Sequence, residues 1–471
     1  MITRALRRLA AVGVLATMSG LFMSSTAFGA TIIPNTFSDE NGGGGSCSLR
    51  EAIEAANTDA AFGGCSAGSG ADTIPLQAGT YQLSIPNDGL SDNQVGDLAV
   101  ESDITITHSG VAPTVIDGGA VDRVVRVVLG GTLTASNITI RNGRTNQPGG
   151  GIRNEGVLNL SAATVTANES TQSFGGGISN NGHGLVNLTN VTISGNRAGS
   201  DSGGVDEESD RPINLDNVTV SANTADSNGD GGNGGGMFNA SGAINVHNTI
   251  VAGNSDNSTD TGERAPDCAG TVTSQGNNLI GDLTHCNFLS SGGDKTNVNP
   301  LLGPLADNGG PTFTHALLAG SPAINAAGAG APATDQRGAP RSAPDIGAYE
   351  RVFCGAAVVN RVGTQGADTV TGTSGADGFL LLAGNDSAFG LGGKDVVCAG
   401  DGADKVKGGG GRDRLLGERG KDKLNGGKGK DVLKGGKAND KLNGAKGTDK
   451  CIGGKGKRDT GRSCEKERSI P

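Results

Sequence analysis

The chain contains few of the residues from which a wide globular core is built. It has no tryptophan, 2 tyrosines and 11 phenylalanines in 471 residues. Large aromatic side chains contribute much of the apolar area that such cores bury. Their scarcity argues against one large core, whereas 84 glycines suit the thin coils of a solenoid, in which each coil packs only against its neighbours.

Long apolar segments are missing beyond the N-terminus. Residues 1–30 begin with Arg4, Arg7 and Arg8, continue through the apolar run Ala11–Met23 and end in small residues. This pattern predicts a cleaved secretory signal peptide. No later stretch approaches the roughly 20 apolar residues that span a bilayer. We therefore expect an exported protein, secreted or associated with the cell wall, with no membrane span.

Lysine is almost absent from the first three quarters of the chain, where Lys295 is the only one before residue 351. Up to Glu350, 15 Lys and Arg residues oppose 33 Asp and Glu residues, a balance of −18. From Arg351 onward 23 oppose 15, a balance of +8, and the two balances give the −10 of the whole chain. Charge thus divides the protein into a large acidic part and a basic tail.

Eight cysteines in an exported chain favour disulfides over thiol chemistry or a zinc site. Their spacing suggests local pairs, although spacing alone does not fix the connectivity. The pairs that we favour are Cys47–Cys65, Cys268–Cys286, Cys354–Cys398 and Cys451–Cys464.

An aspartate recurs every nine residues in the C-terminal region. A glycine stands two residues before each one except at Ala438, and two residues after most of them the side chain is apolar. Each unit thus combines a glycine turn, one carboxylate and one inward-pointing side chain on a short strand. The aspartates are Asp368, Asp377, Asp386, Asp395, Asp404, Asp413, Asp422, Asp431, Asp440 and Asp449.

Stacked turns of this kind offer oxygen ligands to a hard cation. Calcium takes six to eight oxygens at roughly 2.3–2.6 Å, and glycine turns can aim backbone carbonyls inward because glycine tolerates positive φ. Over about residues 361–460 the repeat resembles the GGxGxDxUx nonapeptide of RTX, or haemolysin-type, calcium-binding proteins. The resemblance implies a parallel β-roll over residues 351–464 that binds several Ca²⁺ ions through the ten aspartates, with 465–471 as a short tail.

Residues 31–130 are expected to form an N-terminal cap and the first coils of a second solenoid. Ser48 and Glu51 have the spacing of a capping box at the start of an amphipathic helix. A solenoid needs its first coil covered, so we interpret this helix as the cap. The segment Cys47–Ala52 matches the CSLREA signature of secreted bacterial proteins, which supports that interpretation.

Residues 131–350 carry a longer repeat that predicts an all-β fold. Coils of this length, with short strands and a recurring turn asparagine, resemble a right-handed parallel β-helix. Stacked asparagines at one turn can bond to the backbone and to each other. Residues 299–350 resemble the choice-of-anchor module that ends the β-helix in the CSLREA family. The recurring asparagines are Asn142, Asn168, Asn196, Asn223 and Asn254.

An enzyme is the alternative class, because parallel β-helices include polysaccharide lyases and hydrolases. His183 is the nearest match to a polygalacturonase motif, but the partner residues of that motif are missing. An acidic loop could hold a lyase-like calcium ion, with Arg197 and Arg211 as the only local bases. We assign no catalytic residue, and a lyase or glycoside hydrolase acting along the β-helix groove remains the alternative. The acidic residues of the loop are Asp201, Asp206, Glu207, Glu208 and Asp210.

Lysines fill the variable positions of the nonapeptide repeat. Lysines at the same position of successive repeats, such as Lys428, Lys437 and Lys446, are expected to stack on one side of the roll at the strand spacing of roughly 4.8 Å. Such a basic stripe would suit anionic cell-wall or extracellular polymers. We therefore expect a monomeric calcium-binding protein with an adhesive or structural role at the cell surface.

Overall fold

A computed structural model describes residues 29–87, 93, 95–229, 231–259, 264–456 and 458–468. The predicted signal peptide lies outside the described residues except for Gly29 and Ala30. The described part is nearly all β-structure, with one helix and two solenoids. The first solenoid is a parallel β-helix and the second is a parallel β-roll, as the sequence predicts.

The single helix of the described part, α1 (Leu49–Thr58), begins at the predicted capping box. The Ser48 hydroxyl accepts from the Glu51 backbone N–H at 3.2 Å, and the Glu51 carboxylate accepts from the Ser48 N–H at 2.9 Å. The apolar side of α1 is buried, and the Asn57 side chain donates to the backbone carbonyl of Ala99 at 2.8 Å. Helix α1 therefore lies against the first coils, as expected of a cap.

The β-helix is built from short strands that pair in parallel from coil to coil. From β10 (Ile152–Asn154) to β24 (Cys268–Ser274), one face keeps its inward side chains in register: Ile152, Ile178, Val205, Met237 and Cys268 follow one another, and each is 0% exposed. In chain order from β1 to β27 the strands are Asp72–Leu76, Gly79–Gln82, Leu98–Val100, Asp103–His108, Thr114–Asp117, Val125–Val127, Thr132–Ser136, Thr139–Arg141, Arg144–Thr145, Ile152–Asn154, Val157–Thr166, Glu169–Ser170, Ile178–Gly182, Leu185–Ser194, Arg197–Ala198, Val205–Ser209, Ile213–Asp216, Thr219–Ser221, Thr224–Ala225, Met237–Asn239, Ile244–His247, Ile250–Val251, Ser255–Asp256, Cys268–Ser274, Leu279–Ile280, Cys286–Leu289 and Lys295–Thr296.

An asparagine ladder runs through the predicted turn. The side-chain amides of Asn168, Asn196 and Asn223 each donate to the carbonyl oxygen of the next asparagine side chain at 2.9 Å, and Asn254 donates to Asp267 at 2.9 Å. These side chains also form hydrogen bonds with buried backbone groups. Leaving such a backbone group without a partner would cost roughly 1–3 kcal/mol. The ladder is structural, as predicted.

Asn142 is the exception to the ladder. It takes a positive φ of 55°, and its amide donates to the Asp117 carboxylate at 2.9 Å. The equivalent contact to Asn168 is made instead by the Gly143 N–H. The shared spacing in sequence therefore does not place Asn142 in the stack.

The segment 299–350 adds no coil to the end of the β-helix and instead runs back along its side. The Gly328 N–H donates to the Asn248 side chain at 2.7 Å, the Asn190 amide donates to the Thr334 carbonyl at 2.9 Å, and the Thr164 hydroxyl donates to the Phe313 carbonyl at 2.7 Å. It contains an antiparallel pair, β28 (Leu302–Ala306) with β29 (Thr314–Leu317), and a second pair, β30 (Phe353–Cys354) with β31 (Ala357–Val358), follows it.

The β-roll consists of two parallel sheets joined by glycine turns. Leu415 pairs with Leu433 on one sheet and Leu424 with Leu442 on the other, so one coil takes 18 residues, or two nonapeptides. The predicted inward positions are buried, from Val370 at 6% exposed to Leu433 at 0%. The strands β32 to β45 are Arg361–Val362, Thr369–Thr371, Gly378–Leu380, Ser387–Phe389, Gly392–Gly393, Val396–Cys398, Lys405–Gly411, Arg414–Arg419, Lys423–Gly429, Val432–Lys437, Lys441–Gly447, Lys450–Gly454, Thr460–Arg462 and Lys466–Arg468.

The eight cysteines are bonded in the four pairs that we favoured. Two of the bonds, Cys47–Cys65 and Cys268–Cys286, lie near the two ends of the β-helix. Cys354–Cys398 ties the hairpin before the roll to a strand inside it, and Cys451–Cys464 closes the last coils. Within the described residues no cysteine is free.

Candidate metal centre

The single ladder of aspartates in the sequence becomes two columns in the roll. From Asp386 to Asp449 one carboxylate oxygen, Oδ1, accepts from the backbone N–H of the aspartate 18 residues earlier, at 2.8–3.0 Å. Every aspartate of the ladder is at most 9% exposed. One column holds Asp368, Asp386, Asp404, Asp422 and Asp440, and the other holds Asp377, Asp395, Asp413, Asp431 and Asp449.

The second carboxylate oxygen, Oδ2, has no hydrogen-bond partner in most units. A buried carboxylate oxygen without a partner is costly, because it has lost its water and gained nothing. The unpaired oxygens therefore indicate a bound ligand that is not part of this chain. The Oδ2 atoms concerned belong to Asp386, Asp395, Asp404, Asp413, Asp422, Asp431, Asp440, Asp449 and Asp459.

The first two aspartates differ from the rest. The Oδ2 of Asp368 accepts from the Thr364 N–H and hydroxyl at 2.5 and 2.9 Å, and that of Asp377 accepts from Thr373 at 2.6 and 3.0 Å. Both carboxylates are therefore satisfied within the chain. The sequence treats the ten aspartates alike, whereas the structure separates Asp368 and Asp377 from the eight that follow.

A residue with positive φ stands four positions before each unsatisfied carboxylate from Asp386 to Asp449. In four units glycine takes this position, and in the other four a larger residue does: Leu382, Leu391, Glu418 and Ala445, with φ of 70°, 68°, 68° and 69°. Such a φ costs a non-glycine residue about 1 kcal/mol or more. Neither Thr364 nor Thr373 has a positive φ. At this position a positive φ thus occurs in the turns that leave an oxygen unpaired and not in the two that satisfy it, which indicates a turn built for a ligand.

Glycine carbonyls stack beside the carboxylates. A Cβ added to Gly402, Gly411 or Gly429 would lie 1.4–1.5 Å from the carbonyl oxygen of the glycine 18 residues earlier, and the φ values of these glycines lie between +133° and +146°. No other residue type tolerates both conditions. The predicted glycine position is therefore the one that lets successive turns approach closely.

Replacing one of these glycines should damage the roll more than any nearby change. We expect Gly429→Ala to abolish folding of the last coils, because its Cβ would meet the Gly411 carbonyl at 1.4 Å. Gly410→Ala is the matched control, since its Cβ would have no neighbour closer than 3.8 Å and its φ is not positive. Thermal unfolding in saturating calcium measures the difference, and equal melting curves for the two variants would contradict the prediction.

Burial makes the carboxylates hard to ionise without a cation. It raises the pKa of Asp386, Asp413 and Asp440 to about 6 and that of Asp395 and Asp422 to about 7. Aspartates of adjacent coils add to the shift by repulsion. A bound divalent ion would reverse both effects, since an opposite charge favours the ionised form.

Each column ends in an acidic residue that the nine-residue repeat does not predict. Asp459 accepts from the Asp440 N–H at 3.0 Å, and Glu465 accepts from the Asp449 N–H. Asp459 follows Asp449 by ten residues, so it breaks the nine-residue step. The preceding Gly453-Gly454-Lys455-Gly456 preserves the glycine pattern and was the available signal.

The donor set fits calcium. It consists of carboxylate oxygens and backbone carbonyls, which a hard cation prefers. Within the described residues no three Asp, Glu, His or Cys side chains converge on one point, so each ion would take one or two carboxylates and complete its shell from turn carbonyls.

The predicted single stripe of lysines is wrong in its geometry. Lys428 lies beside Lys446 on one sheet, but Lys437 lies beside Arg419 on the other. A nine-residue step moves to the opposite sheet because a coil takes 18 residues. Lys405, Lys423 and Lys441 are instead in register on one sheet, exposed, and line an open groove of about 700 Å³.

The predicted acidic loop is mostly strand, because Asp206, Glu207 and Glu208 lie on β16 in the stack of parallel strands. Glu207 is buried and accepts from the Asn180 amide at 2.8 Å and the Ser209 N–H at 2.6 Å, and burial raises its pKa to about 7. Asp206 accepts from the Ser179 hydroxyl at 3.1 Å and keeps one unpaired oxygen.

The other three acidic residues of this segment make separate contacts. Asp201 accepts from the Asn233 N–H, Glu208 from Asn181, and Asp210 contacts the exposed His183 at 2.7 Å. Arg197 and Arg211 have no ion pair to any of these carboxylates within the described residues. The structure does not bring the predicted carboxylates and bases into one catalytic group.

The fold and its carboxylate columns define the C-terminal region as a parallel β-roll suited to a hard cation. The family profile of the RTX calcium-binding nonapeptide repeat matches residues 362–406, 399–433 and 425–457. The C-terminal region therefore consists of RTX calcium-binding repeats. A search of curated proteins and a search of solved structures each found no match to the chain. Among the described helices none is long and apolar enough to cross a membrane.

Proposed function

We propose that the protein is a secreted, monomeric bacterial surface protein whose roll folds around several calcium ions and then holds an anionic polymer. The observation that carries the calcium part is the set of buried Oδ2 atoms without partners, in turns that have a residue of positive φ. The β-helix, with its acidic charge, would project away from an anionic surface. The CSLREA signature and the four disulfides support export.

Calcium titration of the full chain tests the metal part of this proposal. We expect Asp413→Ala with Asp422→Ala to remove calcium sites in isothermal titration calorimetry, because both carboxylates have an unpaired buried oxygen. Asp401→Ala is the matched control, since Asp401 lies in the roll but its side chain is 57% exposed and pairs with Arg419. An unchanged number of bound ions in the double variant would refute the assignment.

The polymer-binding part rests on the exposed lysine face. Lys405, Lys423 and Lys441 occupy one row of neighbouring parallel strands, with Lys407 and Arg462 lining the same groove. Like charges in a row repel, and a polymer of regularly spaced negative charges would relieve that repulsion. Calcium bound in the turns would raise the positive potential further.

Salt dependence provides the test of the lysine face. We expect Lys405→Gln, Lys423→Gln and Lys441→Gln together to lower the slope of log affinity against log salt by about 2 for a single-stranded DNA probe, at roughly 0.7 per lost contact. The control variant changes Lys434, Lys437 and Lys455, which lie around a groove on the other sheet. If the two variants had equal salt-dependence slopes, DNA binding would depend only on the total charge of the roll, which would contradict the assignment to the face of Lys405, Lys423 and Lys441. Purified cell wall then replaces DNA as the probe.

A further inference from the structure

Asp72 is a buried acidic residue that no basic side chain of the described residues balances. It opens strand β1 and is 0% exposed. None of the ion pairs formed within the described ranges includes it. A buried carboxylate without a cation is costly, because its charge has left water and has gained no opposite charge. The position of Asp72 therefore calls for a cation that the side chains around it do not supply.

The two carboxylate oxygens of Asp72 have different surroundings. Oδ1 accepts from the Ala30 N–H at 2.7 Å and from the Ser69 N–H at 2.9 Å. Oδ2 is buried and has no hydrogen-bond partner. The same carboxylate thus touches the backbone nitrogen of Ala30 and can accept one further donor.

The regular contacts of the β-helix begin at Ala30. Its carbonyl accepts from the Thr73 N–H at 2.8 Å, and the Ile32 N–H donates to the Thr73 carbonyl at 2.9 Å. Thr31 forms a parallel bridge with Thr73, and Ile32 is 0% exposed. The side chain of Ala30 itself packs against the core of the β-helix. Ala30 is therefore held in place by its nitrogen, its carbonyl and its side chain.

The residue before Ala30 has little room. A Cβ at position 29 would lie 1.5 Å from the Ala71 carbonyl oxygen, so glycine is the residue type that fits there. In the sequence, Ala27 and Gly29 stand third and first before Ala30. Small residues at these two positions are the cleavage pattern at the end of a secretory signal peptide. The Gly29–Ala30 bond is thus the point at which the cleavage pattern and the first contacts of the β-helix meet.

We propose that the signal peptide is removed at the Gly29–Ala30 bond and that the new α-ammonium group of Ala30 forms a buried ion pair with Asp72. Water is added across the peptide bond, so Gly29 leaves with a carboxylate and Ala30 keeps the amine. An α-amine has a pKa of about 8 and takes up a proton at neutral pH. The nitrogen that donates one N–H to Oδ1 then has three N–H donors and a positive charge beside the carboxylate.

This ion pair would make the first coil more stable after export than before it. In the uncleaved chain the nitrogen of Ala30 is an uncharged amide, so Asp72 keeps a hydrogen bond but lacks a cation. The inference rests on the export proposed above, because cleavage occurs only if the chain is exported. It is independent of calcium in the roll.

Mass spectrometry of the chain recovered from the medium of an exporting bacterial host tests the cleavage. We expect the mature chain to begin at Ala30. Gly29→Ala keeps a small residue before the bond and should give the same mature mass and melting temperature, because residue 29 is removed. A mature chain that begins at Phe28 or Thr31 would overturn the inference and leave export intact. A chain that keeps its signal peptide would contradict export as well.

The ion pair is tested by comparing two full mature chains, one that begins at Ala30 and one that begins at Gly29, at the same calcium concentration. The extra glycine converts the amine of Ala30 into an amide. We therefore expect the β-helix of the longer chain to melt lower by about 5 °C, as on removing one partner of a buried pair. Asp72→Asn should abolish the difference between the two chains. Asp103→Asn is the matched control, since this aspartate is exposed on β4, and should preserve the difference.

Equal melting temperatures of the two unaltered chains would overturn the ion pair. So would a difference that persists in full after Asp72→Asn, because the extra glycine would then act through something other than this carboxylate. If Asp72→Asn does not fold, the comparison of the two unaltered chains still decides.

Discussion

Removing calcium should unfold the C-terminal roll and leave the β-helix folded. Nine buried carboxylate oxygens in the roll have no partner within the described residues. Leaving a buried polar group unsatisfied costs roughly 1–3 kcal/mol, and more when it is charged. Domains are stable by only about 5–15 kcal/mol, so several such groups stacked in one roll offset a large part of its stability. We therefore expect the calcium-free roll to be unfolded at neutral pH.

The β-helix has fewer unsatisfied carboxylates, and they are scattered: Asp72, Asp206 and Asp226 each keep one buried oxygen without a partner, whereas nine are stacked in the roll. The turn of the β-helix is satisfied by the amides of Asn168, Asn196 and Asn223, which are uncharged and bond to each other at 2.9 Å. Its inward positions are continuous apolar rows such as Ile152, Ile178 and Val205. Calcium should therefore change the stability of one solenoid and not of the other.

Hydrogen exchange of the full chain, followed by mass spectrometry, separates the two regions. Peptides from residues 362–457 should be protected in millimolar calcium and exchange freely in chelator, while peptides from 132–280 should be protected in both. Magnesium at the same concentration is the control, and it should protect the roll poorly because it requires a smaller octahedral shell. Equal protection of the roll with and without calcium would refute coupled folding.

The period of the repeat was readable from the sequence, but the length of the coil was not. A nine-residue step fixes which positions face inward, and Leu415, Leu424 and Leu433 are all buried as expected. It does not fix how many units make one turn. In the structure two units make one turn, so neighbouring units lie on opposite sheets. For this reason Lys428 and Lys446 lie on one sheet and Lys437 lies on the other.

Local signals predicted local structure well. Ser48 and Glu51 fixed the start of the helix because a capping box acts within one turn. The path of 299–350 along the β-helix depends on contacts such as Thr164 with Phe313, 149 residues apart. No short-range pattern encodes such a contact.

Acidification should replace calcium in part and restore order to the calcium-free roll. Burial raises the pKa of Asp395 and Asp422 to about 7 and that of Asp386, Asp413 and Asp440 to about 6. In the unfolded chain these groups have a pKa of about 4. Between pH 4 and 7 the folded roll therefore binds protons that the unfolded chain does not.

The sign of the pH effect follows from that difference. Protons bound only by the folded state stabilise it, so the contribution is complete below about pH 4 and is lost as pH rises through 6 to 7. In chelator, protection of residues 362–457 should be higher at pH 5 than at pH 8, after correction for the intrinsic exchange rate. In calcium the order should reverse, because protons compete with the ion for the same oxygens. Replacing Asp395 and Asp422 by asparagine supplies uncharged side chains at two of these positions and should weaken the pH dependence in chelator. A calcium-free roll that is equally unprotected at pH 5 and pH 8 would show that carboxylate charge is not what keeps it unfolded.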